Sequence, residues 1–428
     1  LAVRALALVG NGTTALVIDI DAIGFDGEQT ARILEAVSSL TGVAKAGIRF
    51  SCTHTHSGPN TFRLPMIREG LDMALAYIES LPSLVAGAAW QALQNLQPVR
   101  VGIAQGACDI NVNRRAKDRE GRTFVGCNPE GERDTRVQVI RFDNEQGEVV
   151  ASILHYACHP TTMAWQNEWV TPDYPGQAKE IVEKNLGGMC LFLQGAAADL
   201  GPRRGFTGDR RVYRRLGTIL GLTGAALGWN IDTQPTALEL RDIQESGARI
   251  GLYEEVPQAR LDTTLRILSK SVELPVREQP APEVAEAEAE RLRQVRRDLS
   301  ASASDRDRRD ANARATQAGM AADRARLYHG RTSMEWPIHL IAIGEIALVA
   351  MAGEPFQQIA RNIEAQSPYA HTLVSGYTNG GFGYIPTAEE YPAGGYEVET
   401  TPFAPEAAKV LVSAVVAALG ELHKQEKE

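Results

Sequence analysis

Alternation between β-rich runs and stretches with apolar residues at helical spacing narrows the folds open to this chain more than any other feature. Residues 3–9 and 14–20 are β-rich and flank Gly10-Asn11-Gly12, a strong hairpin signal. Helical spacing follows over 30–40, and 46–50 then reads as an apolar strand. Residues 67–96 are rich in Ala and Leu and predict one or two helices. The runs 100–103 and 136–142 predict strands bracketing a polar loop that holds Asn111, Asn113 and Arg114. A strand over 148–158 ends at His159-Pro160, because proline cannot continue the ladder. Helices over 176–186 and 215–227 flank a short buried strand at 189–193. Gly344-Glu345 separates two further strands, 338–343 and 346–351. The second runs out at Glu354-Pro355, where strand gives way to helix. A final amphipathic helix covers 405–423. This alternation implies an α/β fold, and the hairpins imply mixed sheets flanked by helices rather than purely parallel ones.

Between about 280 and 328 Ala, Glu, Arg and Asp dominate and aromatic residues vanish, with a break at Ser300 to Ser304. This stretch predicts a charged helical hairpin inserted into a single domain spanning 1–428. Such an insertion is a solvated helix pair, a lid or the contact of a homo-oligomer. Elsewhere no exposed apolar hairpin or amphipathic membrane helix stands out.

The formal net charge of -9 argues against a nucleic-acid partner, which would demand a basic face. The five cysteines, Cys52, Cys108, Cys127, Cys158 and Cys190, are odd in number and scattered, so neither a disulfide framework nor a cysteine-based zinc finger follows. No uninterrupted apolar run is long enough to span a bilayer. The chain enters a strand-like run directly from Leu1, so its start is expected to be a processed or trimmed end. A cytoplasmic location is expected, with a processed secreted form as the alternative.

The chemistry-bearing motif is Thr53-His54-Thr55-His56-Ser57-Gly58-Pro59, which places two of the eight histidines together at a strand end. Residues two apart on an extended strand project to one side, so both imidazoles are expected to face the same space. Three strand ends then offer metal-compatible groups: His54 or His56, His159, and Glu354. Two imidazole nitrogens and a carboxylate oxygen suit catalytic zinc and leave a position for water. Weaker features are the glycine-rich stretch 376–383 and the arginines at 203, 204, 210, 211, 214 and 215.

These blocks carry a family resemblance. THTHSGP, Cys158-His159-Pro160-Thr161-Thr162-Met163, Leu191-Phe192-Leu193-Gln194-Gly195-Ala196, Ala352-Gly353-Glu354 and Tyr384-Ile385-Pro386-Thr387-Ala388-Glu389-Glu390-Tyr391 occur in order. Together they resemble the catalytic domain of the neutral, non-lysosomal ceramidases, which are zinc-dependent amidases. The likeness runs from near residue 1 to about residue 400 and lapses across the charged insertion. It implies that His54, His159, Glu354 and Tyr384 ligate Zn2+. It also implies that His56, Arg114 and Tyr396 act beside the metal on the substrate carbonyl and its oxyanion. From the loop 194–202, Gln194, Asp199 and Gly201 are expected to line the substrate. Where the family reads Gly-Asp-Val-Ser-Pro, this chain reads Ala198-Asp199-Leu200-Gly201-Pro202, so a serine-nucleophile mechanism does not transfer. Nothing resembling the family's C-terminal immunoglobulin-like domain follows the last helix.

The expectation is a zinc hydrolase that cleaves a carbon–nitrogen amide bond with metal-activated water. Its substrate is expected to be a small acyl compound, smaller or more polar than ceramide. An ester or lactone hydrolase and a non-catalytic metal-binding scaffold are the alternatives.

Overall fold

Three similar chain units, each a hairpin followed by a helical crossover, build the fold. The computed structural model describes residues 1–61, 70–164, 166–258, 262–380 and 383–425. The start of the expected helical stretch 67–96 and two members of the glycine-rich stretch, Gly381 and Phe382, lie outside the described residues.

In the first unit, β1 (Val3–Gly10) and β2 (Thr13–Ile20) pair antiparallel. Their two-residue turn, Asn11-Gly12, has φ of 43° and 78°, the left-handed pair that matches strand twist. α1 (Gly27–Thr41) is capped by the Asp26 carboxylate and by left-handed Gly42. It crosses to β3 (Ile48–Cys52), which lies parallel to β2. α2 (Leu71–Gln94) is long and apolar enough in composition to cross a membrane. Here its Leu81, Val85 and Ala89 pack with the first sheet and α1.

The second unit comprises β4 (Arg100–Ala107), β5 (Asn111–Lys117), β6 (Thr123–Asn128), β7 (Arg136–Asp143) and β8 (Val149–Tyr156). α3 (Asp173–Leu186) crosses to β9 (Met189–Gln194), parallel to β8. β10 (Leu200–Pro202) joins β5, and α4 (Arg210–Trp229) returns over the sheet. The expected polar loop around Asn111, Asn113 and Arg114 is thus the strand β5. Its pattern misleads because polar side chains from 111 to 115 are buried on both faces and mostly hydrogen-bonded there; Asn111 Nδ2, for example, donates to the Asp134 and Ala157 carbonyls.

A separate hairpin follows, β11 (Thr236–Glu245) with β12 (Arg249–Pro257). The third unit runs through β13 (Leu265–Pro275), the helices α5 (Pro282–Arg297) and α6 (Asp305–Tyr328), β14 (Ser333–Ile343) and β15 (Ile346–Met351). The charged insertion is therefore a helical hairpin between two adjacent strands of one sheet. Beyond it lie the two-residue strand β16 (Glu354–Pro355), α7 (Gln357–Glu364) and β17 (His371–Ser375), parallel to β15. β18 (Tyr384–Ile385) pairs with β16, and α8 (Tyr396–Thr400) and α9 (Ala407–Lys424) complete the chain.

The sheets β1-β2-β3, β4-β7-β8-β9 and β13-β14-β15-β17 turn their inner faces toward one shared core. Val17, Ile153, Leu193, Ile341 and Leu348 meet there. Each outer face is covered by a helix pair: α1 and α2, α3 and α4, and α7 and α9. Strand alternation sorts the side chains, so Ile338 and Leu340 face α9 while Ile341 and Ile343 face the centre. Each such side chain contributes about 1.5–3 kcal/mol on full burial. A polar layer crosses the same interior. His155 Nε2 donates to the Val374 carbonyl at 3.0 Å, and His339 Nε2 donates to the Ala46 carbonyl at 2.6 Å, tying sheet to sheet.

Candidate metal centre

In each unit a strand of the main sheet ends just before a candidate ligand, after the helical crossover in the first unit and before it in the other two. His54 follows β3, His159 follows β8 and Glu354 follows β15, so three carboxyl-side strand ends meet at one pole of the molecule. The two histidines of THTHSGP do not share an extended strand, as the spacing predicts. β3 stops at Cys52, and His54 is left-handed at φ 65°. A histidine there is strained, and the surroundings hold it: its N–H donates to the Ala22 carbonyl and its Nδ1 to the Ile23 carbonyl at 2.5 Å.

The imidazole tautomers follow from these partners. His159 Nδ1 likewise donates to a carbonyl, that of Ala197, at 3.2 Å. Because carbonyls only accept, both Nδ1 atoms carry the hydrogen and both Nε2 atoms are bare. Those bare nitrogens face one another at 3.0 Å, and His56 Nε2 stands 3.3 Å from His54 Nε2. Glu354 Oε2, buried and without a hydrogen-bond partner, lies 3.5 Å from His54 Nε2 and 3.7 Å from His159 Nε2. Facing lone pairs repel, whereas a shared cation draws them together. Tetrahedral zinc with bonds of about 2.0–2.1 Å sets its donor atoms roughly 3.3 Å apart, which these separations fit.

Burial holds both His54 and His159 far below the usual imidazole range, with the neighbouring imidazoles and Arg114 adding to the effect. Neutral imidazole is the metal-binding form. Burial also raises the Glu354 carboxyl to about 7, against the opposing pull of Arg114 and hydrogen bonds from Tyr384 and Tyr377.

Tyr384 reaches the cluster through Glu354, its partner across the β16–β18 pairing. Arg114, on β5, donates through Nε to Glu397 at 2.8 Å and lays its guanidinium 5.5 Å over the Tyr384 ring. Its Nη2 is buried and has no partner, leaving one donor for an incoming oxygen. The Tyr396 ring packs edge-on against Tyr384 at 5.6 Å. His56 is the solvent-exposed member of the imidazole cluster. It stands among the converging nitrogens and not only beside them.

The loop residues behave differently from the expectation. Gln194 is fully buried and donates to the Cys158 carbonyl at 2.7 Å. Asp199 accepts the Gln357 N–H at 2.8 Å and its side-chain amide at 3.1 Å, anchoring the start of α7. Both thus make hydrogen bonds within the scaffold, while Gln194 Oε1 is buried without a partner. Gly201 sits on β10 opposite Val112, with its α-carbon turned toward the Arg114 side chain.

Two residues that sequence reasoning missed complete the site. The Tyr377 ring stacks on His54 at 4.2 Å, and its hydroxyl lies 3.4 Å from His159 Nδ1. Glu397 is buried and binds both Arg114 Nε and Arg115 Nη1 at 2.8 Å. It thereby fastens α8, which carries Tyr396. The other end of α8 is held by Arg277, which donates to the Val398 and Glu399 carbonyls, and by Arg324 of α6, which reaches the Glu399 carbonyl at 3.4 Å. A tyrosine in a glycine-rich stretch and an acid directly after Tyr396 were the available signals.

Fold and site together define a mixed α/β protein with one imidazole–carboxylate centre suited to a divalent cation. Residues 2–195 match the family described as neutral/alkaline non-lysosomal ceramidase, N-terminal. The chain is 26% identical over 229 residues to a neutral ceramidase of Oryza sativa subsp. japonica, covering 49% of this chain and 28% of that protein. It is 26% identical over 200 residues to neutral ceramidase B of Dictyostelium discoideum, covering 43% and 27%. Among solved structures, the neutral ceramidase from Pseudomonas aeruginosa superposes with a TM-score of 0.65 at 20% identity, covering 97% of this chain and 67% of that one. A ceramidase complexed with C2 gives 0.66 at 17% identity, covering 99% and 70%. The likeness to the neutral/alkaline non-lysosomal ceramidases thus lies in residues 2–195, and the fold of the solved ceramidases extends over nearly the whole chain. The chain spans less than a third of the length of the curated relatives it matches.

Proposed function

We propose that this protein is a zinc-dependent amidohydrolase acting on an acyl amide smaller or more polar than ceramide. The observation that carries the reading is the pair of bare Nε2 atoms of His54 and His159 at 3.0 Å, with the unpartnered Glu354 Oε2 beside them. His54, His159 and Glu354 would hold the ion, with Tyr384 adjoining through Glu354. When bound, zinc supplies Lewis acidity, which acidifies water and polarises a carbonyl.

The chain's own groups supply the remainder. Arg114 Nη2 is the free donor for negative charge growing on the carbonyl oxygen, and the loss of such a donor typically costs about 10²–10³ in rate. The Tyr396 hydroxyl faces the same charge from the α8 side. His56, open to solvent, can carry a proton to the departing amine. Gly201 offers no hydroxyl, so attack by a serine from β10 has no part in the chemistry.

A basic rim favours a polar substrate. The loop after β10 bonds to the loop after His159 through Phe206 N–H and the Thr161 carbonyl at 2.9 Å. Arg203, Arg204, Arg211 and Arg215 line an open depression of about 480 Å³ together with Asp209, which pairs with Arg211, and Arg203 pairs with Asp109.

The test joins metal analysis to a substrate panel. About one zinc per chain, lost in His54→Ala and Glu354→Ala together with hydrolysis of short acyl amides, is expected. Full metal content and activity in both variants would refute the reading. Faster turnover of matched esters or lactones would reassign the scissile bond, and faster turnover of long-chain ceramide would reverse the substrate preference.

A further inference from the structure

The hairpin β11–β12 stands apart from the three-sheet body. Its strands pair only with one another, and every residue from 238 to 250 is solvent-exposed. An isolated two-stranded hairpin is marginal in water, so one that packs on nothing lacks its second layer.

One face of this arm gathers Leu238, Leu240, Ile243 and Tyr253, with Glu255 at one end and the Glu245–Arg249 ion pair at the other. Leu238 and Leu240 lie opposite Glu255 and Tyr253, and the irregularity between Leu240 and Asp242 resets the alternation, which brings Ile243 onto the same face. The arrangement is visible over Gly251, where a Cβ would meet Leu240 Cδ1 and Tyr253 Cε2 at 3.0 Å each. Leu238 is 67% exposed and Tyr253 60%. Charge argues against an anionic membrane as the missing layer, since the arm carries Glu239, Asp242, Glu245, Glu254 and Glu255 against Arg241 and Arg249.

A matching concavity exists on the body. Edge strands of the three sheets, β1, β4 and β13, border a groove of about 680 Å³ lined by Val9, Leu96, Val99 and Leu265 among others. Val9 is 55% exposed and Leu96 49%, and β1 offers an unpaired strand edge there. The arm leaves its own groove uncovered.

We propose that two copies of this chain form a two-fold dimer by exchanging arms, the Leu- and Tyr-bearing face of each β11–β12 arm seating in the partner's β1–β4–β13 groove. One chain carries both the protruding and the receiving surface, which is the requirement for a closed two-fold pairing. The area suffices. Nine to ten residues per strand at ~3.3 Å each, two strands wide, give a face of about 300 Å². Two arms and two grooves then bury about 1,200 Å², the lower bound of a stable interface.

Sedimentation equilibrium and light scattering on the full chain test the proposal. The parent protein is expected to dimerise, and both Leu240→Asp/Tyr253→Asp on the arm and Val9→Asp/Leu96→Asp in the groove are expected to weaken dimerisation at least about tenfold. All four positions are exposed, and unchanged far-UV circular dichroism and melting temperature verify folding. A monomeric parent protein, a dimer that survives either pair of substitutions, or a monomer whose arm floats with zwitterionic vesicles would each overturn it.

Discussion

Lys179→Met probes the buried charge cluster that ties α3 to β2 directly behind His54. Lys179 is fully buried, and its ammonium donates to Asp19 Oδ2 at 2.7 Å and to Asp21 Oδ1 at 2.8 Å. Methionine preserves most of the apolar stem and removes the charge. Two buried carboxylates then keep only the non-contacting Arg4 as counter-charge, and breaking a buried pair in this way costs about 3–5 kcal/mol. The lower half of that range is expected here, because Asp19 Oδ2 keeps the Phe192 N–H at 3.0 Å and Asp21 Oδ2 keeps the Ala2 N–H at 2.9 Å. Burial already pushes the Asp19 carboxyl up with Lys179 present, and removing the ammonium pushes it further. A carboxyl raised in the folded state favours that state at low pH and loses the advantage as pH rises. The defect should therefore be largest near pH 7.5 and shrink toward pH 5. Urea unfolding followed by tryptophan fluorescence and circular dichroism at both pH values measures it. Lys179→Met/Asp19→Asn/Asp21→Asn should recover much of the loss. A loss below about 1 kcal/mol at pH 7.5, or one independent of pH, would refute the reasoning.

Glu397→Gln should lower kcat/KM roughly 10- to 100-fold with metal content unchanged, because Arg114 and α8 lose their shared anchor and small misplacements are costly. Metal analysis beside steady-state kinetics separates this from a loss of the ion. His155 and His339 are each held down to about 4, chiefly by burial, so below the ordinary imidazole pKa of ~6.5 the unfolded chain binds more protons and stability falls as pH drops toward 4. At pH 5 each contributes nearly one proton, or about 1.2 kcal/mol per pH unit, and His339→Gln should remove its share of the slope in denaturation curves between pH 5 and 7. Gly201→Ser should change stability by less than about 1 kcal/mol in thermal melts, since a Cβ there meets only Arg114 Cβ at 3.4 Å and Cδ at 3.8 Å.

Where polarity tracks burial, the fold was legible. Strand β1 and helices α1 and α3 follow from periodicity, while β2, β14 and β15 are legible as continuous apolar runs buried on both faces. Legibility ended where polarity and burial part company. β5 is a buried strand written in Asn and Arg, and β11–β12 is an exposed hairpin written partly in Leu, Ile and Tyr. The meeting of three sheets around one core leaves no local trace, since the contacts between sheets join residues distant in the chain. His159 and Glu354 could be picked out as strand-end donors, but their convergence on His54 is a product of that packing. Tyr377 and Glu397 were missed for a related reason: they act through orientation, stacking on His54 and bridging two arginines.

Helix α8 has only five residues, too few for a helix to persist by itself. Its pose is imposed by arginines from three separate segments, two on β5 at one end and Arg277 and Arg324 at the other. The wall bearing Tyr396 is thus mounted at one end on Arg114, which the site shares, and at the other on Arg277 and Arg324, which bond to the α8 carbonyls. Drift in the α5–α6 insertion, through Arg324, can re-aim that wall while His54, His159 and Glu354 stay in place. A scaffold mounted this way can change that wall without rebuilding the imidazole cluster.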